Sequence, residues 1–276
     1  MKSPSLPAIL RTAVDAAQLA GGLMRANLTS TSKRINEASQ HDIKLELDVH
    51  CQKLIEKRLR KSFPAIPVLG EEGETGDSQA DYRWVVDPID GTVNFAYGIP
   101  HACVSIALDR RWDPAWSSTR SVPPSGYETQ VGVVYDPFSN ELWTAIRGKR
   151  ACLNGRTIRV SSRSRLEESI VSMGFAKHPV SLDAMLPVFN GLVREVRKMR
   201  IMGAAALAMV YVASGRLEAY LEHRVRWWDI AAGGLILECA GGEFSHVRIP
   251  EAASHTYRVI ASNGHVNRKI SRRYKF

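Results

Sequence analysis

The chain has 276 residues, 45% of them apolar, enough to bury a full core as one large domain or as two closely joined lobes. No apolar run approaches the roughly 20 residues of a membrane-spanning helix, so no membrane partner is expected. A net charge of +9 favours anionic partners in general: nucleic acid, an acidic surface or a phosphorylated small molecule.

At the N-terminus, "LPAILRTAVDAAQLAGGLM" carries Arg11 and Asp15 inside what a signal peptide would need as an unbroken apolar stretch. It predicts an amphipathic helix whose buried stripe is Leu6, Leu10, Val14, Ala17 and Met24. A second helix is predicted over 43–62, where Leu47, Leu54, Ile55 and Leu59 recur at helical spacing. Strand signals follow at "IPVLG", "YRWVV", "CVSIAL", "QVGVVY", "ELWTAI" and "TIRV", separated by Gly, Pro, Asn and Asp clusters that read as turns. The stretch "RWDPAWSSTRSVPPSGYET" at 111–129 is too irregular for either element and predicts an insertion between neighbouring strands.

From 166 the chain alternates again: a strand at "SIVSMGF", a helix over 182–199, a helix over "AAALAMVYVASG", a strand at "LEAYLE", a helix from 229 and a last strand at "YRVIAS". The expected class is therefore α/β (mixed α+β), one unit over 1–276. Two closely joined halves, about 1–165 and 166–276, share a cleft where sites are usually built. Cys51, Cys103, Cys152 and Cys239 form no C-x-x-C pair, which points away from a zinc knuckle and towards free thiols in a reducing cytoplasm. The basic segments "EKRLRK" (56–61), "VREVRKMR" (193–200) and "NRKISRRYK" (267–275) mostly lack the interleaved aromatics of a single-strand platform. They read as solvated helix faces and a basic tail, and nucleic acid is not the expected partner.

The segment "WVVDPIDGTVNF" at 84–95 ends an apolar strand with two aspartates three positions apart. A turn explains Pro88 and Gly91. It does not explain two carboxylates held together, whose mutual repulsion is costly unless a cation lies between them. Asp87, the Ile89 carbonyl and Asp90 offer the oxygen ligands that magnesium takes. Upstream, "VLGEEGE" ends another strand with Glu71 and Glu72; downstream, "RWWDIAAGG" puts Asp229 ahead of a helix, as a cap or as a further ligand. Each segment delivers carboxylates at an element boundary.

Together, "GEE" at 70–72, "WVVDPIDGTVNF" and "WWDIAAGGLILECAGG" at 227–242 resemble the inositol monophosphatase family of magnesium-dependent, lithium-sensitive phosphatases, a group that includes fructose bisphosphatases. "YDPFSNELWTAIRGKRACLNGRTIRVS" and "VASGRLEAYLE" extend the likeness over almost the whole chain. The resemblance implies a layered αβαβα sugar-phosphatase fold, a homodimer, and hydrolysis of a small phosphorylated polyol. Inositol monophosphate leads, with histidinol phosphate and fructose bisphosphate behind it, and a non-catalytic RNA- or transcription-associated regulator is the alternative. By the same resemblance Glu71, Asp87 and the Ile89 carbonyl would hold one Mg2+; Asp87, Asp90 and Asp229 would hold a second. Glu71 would also touch a weaker third ion and act as a catalytic residue. The amides of Gly91 and Thr92 would cradle the phosphate, Thr92 with Asp48 would orient and deprotonate the attacking water, and Glu222, Ala205, Asp90 and Asp229 would contact the substrate. Most metal ligands thus come from the first half, Asp229 and the substrate contacts from the second. His101, His178 and His223 are read as ordinary polar or core histidines. Four departures stand out: Leu45 where the family offers threonine between Asp42 and Asp48, Glu37 where a lysine often stands (Lys33, Arg34 or Lys44 would substitute), Arg150 for a glycine, and the long 111–129 insertion.

Overall fold

The computed structural model describes residues 5–30, 35–38, 43–77, 79–115, 117 and 123–274. In chain order its elements are α1 (Leu6–Asn27), β1 (Ile35–Ala38), β2 (Ile43–Leu45), α2 (Glu46–Ser62), β3 (Val68–Gly70), β4 (Gly73–Thr75), β5 (Tyr82–Asp90) and α3 (Thr92–Ala96). They continue with β6 (Cys103–Arg111), β7 (Tyr127–Asp136), β8 (Glu141–Ile146), β9 (Cys152–Leu153) and β10 (Arg156–Thr157). The second part holds β11 (Ile170–Met173), α4 (Pro179–Glu195), β12 (Lys198–Arg200), α5 (Ala205–Ala213), β13 (Ala219–Arg226), α6 (Trp227–Cys239), β14 (Glu243–Arg248), β15 (Thr256–Ser262) and α7 (Asn267–Tyr274).

These stack in five layers. An eight-stranded sheet, ordered β10-β9-β8-β7-β6-β5-β3-β4, carries α1 and α2 on one face and α5 and α6 on the other. A five-stranded sheet, β12-β11-β13-β15-β14, covers the far side of α5 and α6 and is covered in turn by α4 and α7. The expected αβαβα layering follows from burial. The inner strands of the large sheet have helices on both faces, so β7 is buried along its whole length. The central helices have sheets on both sides, so α5 is apolar almost all round. Gly132 of β7 makes the close approach possible, since a Cβ there would sit 2.7 Å from the Ala232 carbonyl of α6.

Several expectations shift. The buried stripe of α1 is Ile9, Ala13, Ala16, Ala17, Ala20 and Met24, while Leu6, Leu10 and Val14 pack only partly, along its flank. The small residues let the helix lie against the sheet: a Cβ on Gly21 would come within 2.6 Å of the Tyr135 ring. The helix expected over 182–199 runs instead over Pro179–Glu195, and Lys198–Arg200 forms the edge strand β12. Of "TIRV" only Thr157 lies in a strand; Ile158 and Val160 instead donate their amides to Ala151 and Ala240 outside the sheet. The edge strand β14 has no apolar alternation to announce it, and part of the basic tail is α7, seated on buried Val266 and Ile270. β6 and β7 are hydrogen-bonded neighbours, as the 111–129 insertion required, although Tyr127–Thr129 belong to β7. Among the described residues no helix is long and apolar enough to cross a membrane, and the four cysteines are free.

Candidate functional site

β5 drives Trp84, Val85 and Val86 through the core and arrives at Asp87, where its pairing with β6 breaks between Asp87 and Asp90. In that irregularity the Asp87 carboxylate accepts the Ile89 amide at 3.0 Å. Gly91 then turns the chain at φ 92°, a left-handed conformation that favours glycine, and a Cβ there would lie 2.9 Å from the His101 carbonyl. The Thr92 hydroxyl donates to the Ile89 carbonyl at 2.9 Å. Asp90 reaches across to the start of α5, where its two carboxylate oxygens accept the amides of Ala205 and Ala206 at 3.0 and 2.8 Å. A helix start suits an anion, because its first amides have no partner within the helix. The Asn94 side chain donates to the His101 and Met202 carbonyls, pinning α3 to the segment that leads into α5.

Three other elements bring acids to the same place. Gly70 pairs with Val86, so β3 ends beside β5 and presents Glu71, whose amide donates to the Val86 carbonyl. Gln52 of α2 braces that turn: its side-chain oxygen accepts the Glu72 amide at 2.9 Å and leaves no room for a Cβ on Gly70. Asp48, in the first turn of α2, accepts the Leu45 amide at 2.8 Å. α6 begins at Trp227, so Asp229 lies inside its first turn rather than ahead of it, and from there it accepts the amide of the capping residue Arg226 at 2.9 Å. It also faces the acid cluster.

Burial is severe: Asp48 and Asp87 are 2% exposed and Asp90 is 7% exposed, while Glu71, Gly91, Thr92, Glu222 and Asp229 keep a partial opening. Burial, then the charges of Glu71, Asp90, Asp229 and Asp48, hold the Asp87 carboxyl well above the usual carboxylate range. Asp229 is raised by burial and by Glu71 and Asp90, against the Arg226 amide. Burial pushes Asp90 up to about 6, opposed by the amides of Ala206 and Ala205. No basic side chain is among the principal influences on any of the three. Among the described residues no three His, Cys, Asp or Glu side chains converge closely enough to close a coordination shell, and the carboxylates of Asp87, Asp90 and Asp229 are each turned onto a backbone amide. The donor chemistry nevertheless fits a hard divalent cation: oxygen ligands only, gathered from four elements, repelling one another in a buried space.

Glu222, on β13, lies on the same side of the strand as Tyr220, whose hydroxyl donates to its carboxylate. The carboxylate rests on Gly174, where a Cβ would fall 1.9 Å away. Burial pushes Glu222 up to about 7, with Tyr220 pulling it down and Asp90 adding to the rise. Ala205 is buried, and its amide is engaged by Asp90. Tyr220, Gly174, Gln52 and Asn94 were not singled out from the sequence; the glycine ending the strand "SIVSMGF" is the one local signal among them. The His101 ring packs edge-on against Tyr211, and burial lowers His101 and His223. His178 stands just ahead of α4, and none of the three is among the principal influences on the raised aspartates. Leu45 is buried in the core at the start of α2 and makes no side-chain cap there. Arg150 is exposed. The side chains of Lys33, Arg34, Glu37, Asp42 and Lys44 lie outside the described residues.

The model of the inositol monophosphatase family matches residues 6–121 and 125–274. The chain is 37% identical over 272 residues to inositol monophosphatase 1 of Solanum lycopersicum, covering 96% of this chain and 94% of that one. It is 37% identical over 241 residues to the Nus factor SuhB of Pseudomonas aeruginosa, covering 85% and 83%. The crystal structure of the extragenic suppressor protein suhB from Bartonella henselae matches with a TM-score of 0.86 at 32% identity, covering 97% of this chain and 98% of that one.

Proposed function

Because the chain belongs to the inositol monophosphatase family, we propose that it hydrolyses a small phosphomonoester, inositol monophosphate first, in a magnesium-dependent reaction. The observation that carries this reading is the meeting of Glu71, Asp87, Asp90 and Asp229 beside the Gly91 turn, where burial and the neighbouring carboxylates raise Asp87 and Asp229. In this reading Glu71, Asp87 and the Ile89 carbonyl hold one Mg2+, and Asp87, Asp90 and Asp229 hold a second. When bound, such ions neutralise phosphate charge and make a bound water acidic. The amides of Gly91 and Thr92 bind the phosphate oxygens, as exposed amides of a turn do. Thr92 and Asp48 orient the attacking water and take its proton. Glu222 accepts hydrogen bonds from substrate hydroxyls, with Ala205 beside it. A homodimer, inhibition by lithium and a cytoplasmic location complete the reading.

A phosphate-release assay over a panel of phosphomonoesters, run with magnesium and with chelator, tests it. Turnover of a polyol phosphate that vanishes in chelator is expected; no turnover of any ester would overturn the assignment. The name of the Pseudomonas relative and the charge of +9 favour a second reading, a transcription-associated protein that binds RNA. That reading requires tight RNA binding whose affinity falls steeply with salt. Micromolar or weaker affinity at physiological salt would leave the charge to solubility and the attraction of anionic substrates.

A further inference from the structure

Trp227 and Trp228 open α6 just ahead of Asp229, and both are tied to β6. The Trp227 indole N–H donates to Asp109 Oδ2 at 2.8 Å, between two buried residues. The Ser105 hydroxyl donates to the Trp228 carbonyl at 3.1 Å. In the β5–β6 register Ser105 stands opposite Asp87 and Asp109 opposite Arg83, so the two tethers leave the strand that flanks the acid cluster. Asp109 is itself immobilised. Thr129 Oγ1 donates to its Oδ1 at 2.8 Å, and Arg83 Nε and Nη2 donate to its Oδ2 at 3.3 and 3.2 Å. Three adjacent strands therefore fix the acceptor before the indole reaches it.

We infer that β6 positions Asp229: Asp109, through Trp227, and Ser105, through the Trp228 carbonyl, seat the first turn of α6 and so set where Asp229 stands relative to Asp87 and Asp90. The inference rests on reading those carboxylates as a divalent-metal site. Asp229 is carried by a helix, whereas Asp87 and Asp90 end a strand, so their mutual geometry depends on how α6 lies on the large sheet. Apolar packing between the two is non-directional. A buried hydrogen bond to a charged acceptor fixes distance and angle, and a metal constellation must be held to within about 0.5 Å. Asp109 and Ser105 touch no reacting atom; they act through the helix they hold.

The test measures binding of Mn2+, used alone as a spectroscopic stand-in, to the full chain by electron paramagnetic resonance and calorimetry. Trp227→Phe keeps a ring in place and deletes the N–H; at least fivefold weaker Mn2+ binding is expected. Ser105→Ala, a smaller change to the fold, removes the second tether and is expected to weaken binding at least threefold. Thr129→Val loosens Asp109 but leaves the indole bond, and a loss of Mn2+ affinity smaller than that of Trp227→Phe is expected. If Trp227→Phe does not fold, Ser105→Ala decides. Unchanged affinity in the tether variants, with wild-type binding intact, overturns the inference alone, as does an equal loss in Thr129→Val. A wild-type protein that binds no Mn2+ overturns the metal reading beneath it.

Discussion

Asp87 and Asp109 lie on neighbouring strands, 2% and 0% exposed, and their surroundings are opposite in sign. Asp109 is paired with the Arg83 guanidinium, which stacks on the Tyr127 ring, and takes further hydrogen bonds from Thr129 and Trp227. Asp87 takes one backbone amide and otherwise feels four more carboxylates. Removing a charge from water costs several kcal/mol, and only opposite charge and hydrogen bonds offset it. Asp109 is therefore complete within the protein, whereas the surroundings of Asp87 make physical sense around a cation. Burial alone does not separate a structural acid from a site; the sign of its neighbours does.

The widest separation between the two is expected from removing each charge. Asp87→Asn should cut phosphate release by a thousandfold or more, about 4 kcal/mol in the barrier. In chelator the same variant should be more stable to urea than wild type, because a repelling charge has gone. Activity within tenfold of wild type at saturating magnesium would end the metal role. Asn at Asp90 is a poorer probe, since both Asp90 oxygens accept backbone amides and an NH2 would face one of them. Asp109→Ala should move stability the other way, by about 3–5 kcal/mol, because it leaves Arg83 buried without its partner. Equal urea midpoints for Asp109→Ala and wild type would collapse the comparison.

Adding the cation should erase the difference between the two acids. Magnesium at a hundred times its dissociation constant stabilises a folded protein by about 2.7 kcal/mol. The melting temperature of the wild type should rise with magnesium accordingly, and that of Asp87→Asn should not. A wild-type melt indifferent to both magnesium and chelator would show that the acid cluster holds no ion.

Much of this site was legible before the fold, for a local reason. Asp87 and Asp90 stand at the end of an apolar run and Asp229 at the start of one, where a few consecutive letters show both the element and the acid at its boundary. The layers were legible in the same way, from runs such as "CVSIAL" and "AAALAMVYVASG". What stayed hidden is set by pairing across the chain. Arg83 and Asp109 meet through strand register, and Trp227 reaches Asp109 across 118 residues, so "ALDRRWD" alone looks like a polar strand end. The rotated stripe of α1 follows from the closeness of Tyr135, and Glu222 owes its setting to Gly174 across the small sheet. No periodicity in the sequence carries either.

Glu222 is the intermediate case, a half-buried acid whose nearest partner is the neutral Tyr220 hydroxyl rather than a cation or another carboxylate. Its carboxyl lies near 7 against an ordinary 4.5, so the folded protein holds a proton that the unfolded chain releases. Between pH about 4.5 and about 7 stability should therefore fall as pH rises, and Glu222→Gln should remove that part of the slope. Activity should move in the opposite sense. Above pH about 7 the carboxylate accepts hydrogen bonds from substrate hydroxyls, so kcat/KM for a cyclic polyol phosphate should climb through that value. A charged hydrogen bond is worth about 1.5–3 kcal/mol, which makes Glu222→Gln about tenfold or more slower on the polyol at pH 8 and less impaired at pH 6. A phosphoester with a plain aromatic leaving group has no hydroxyls to offer and should show neither the step nor the loss. Equal losses on both substrates would assign Glu222 to the metal site or to the fold. If neither substrate responded, polyol recognition would have to come from another wall of the cleft.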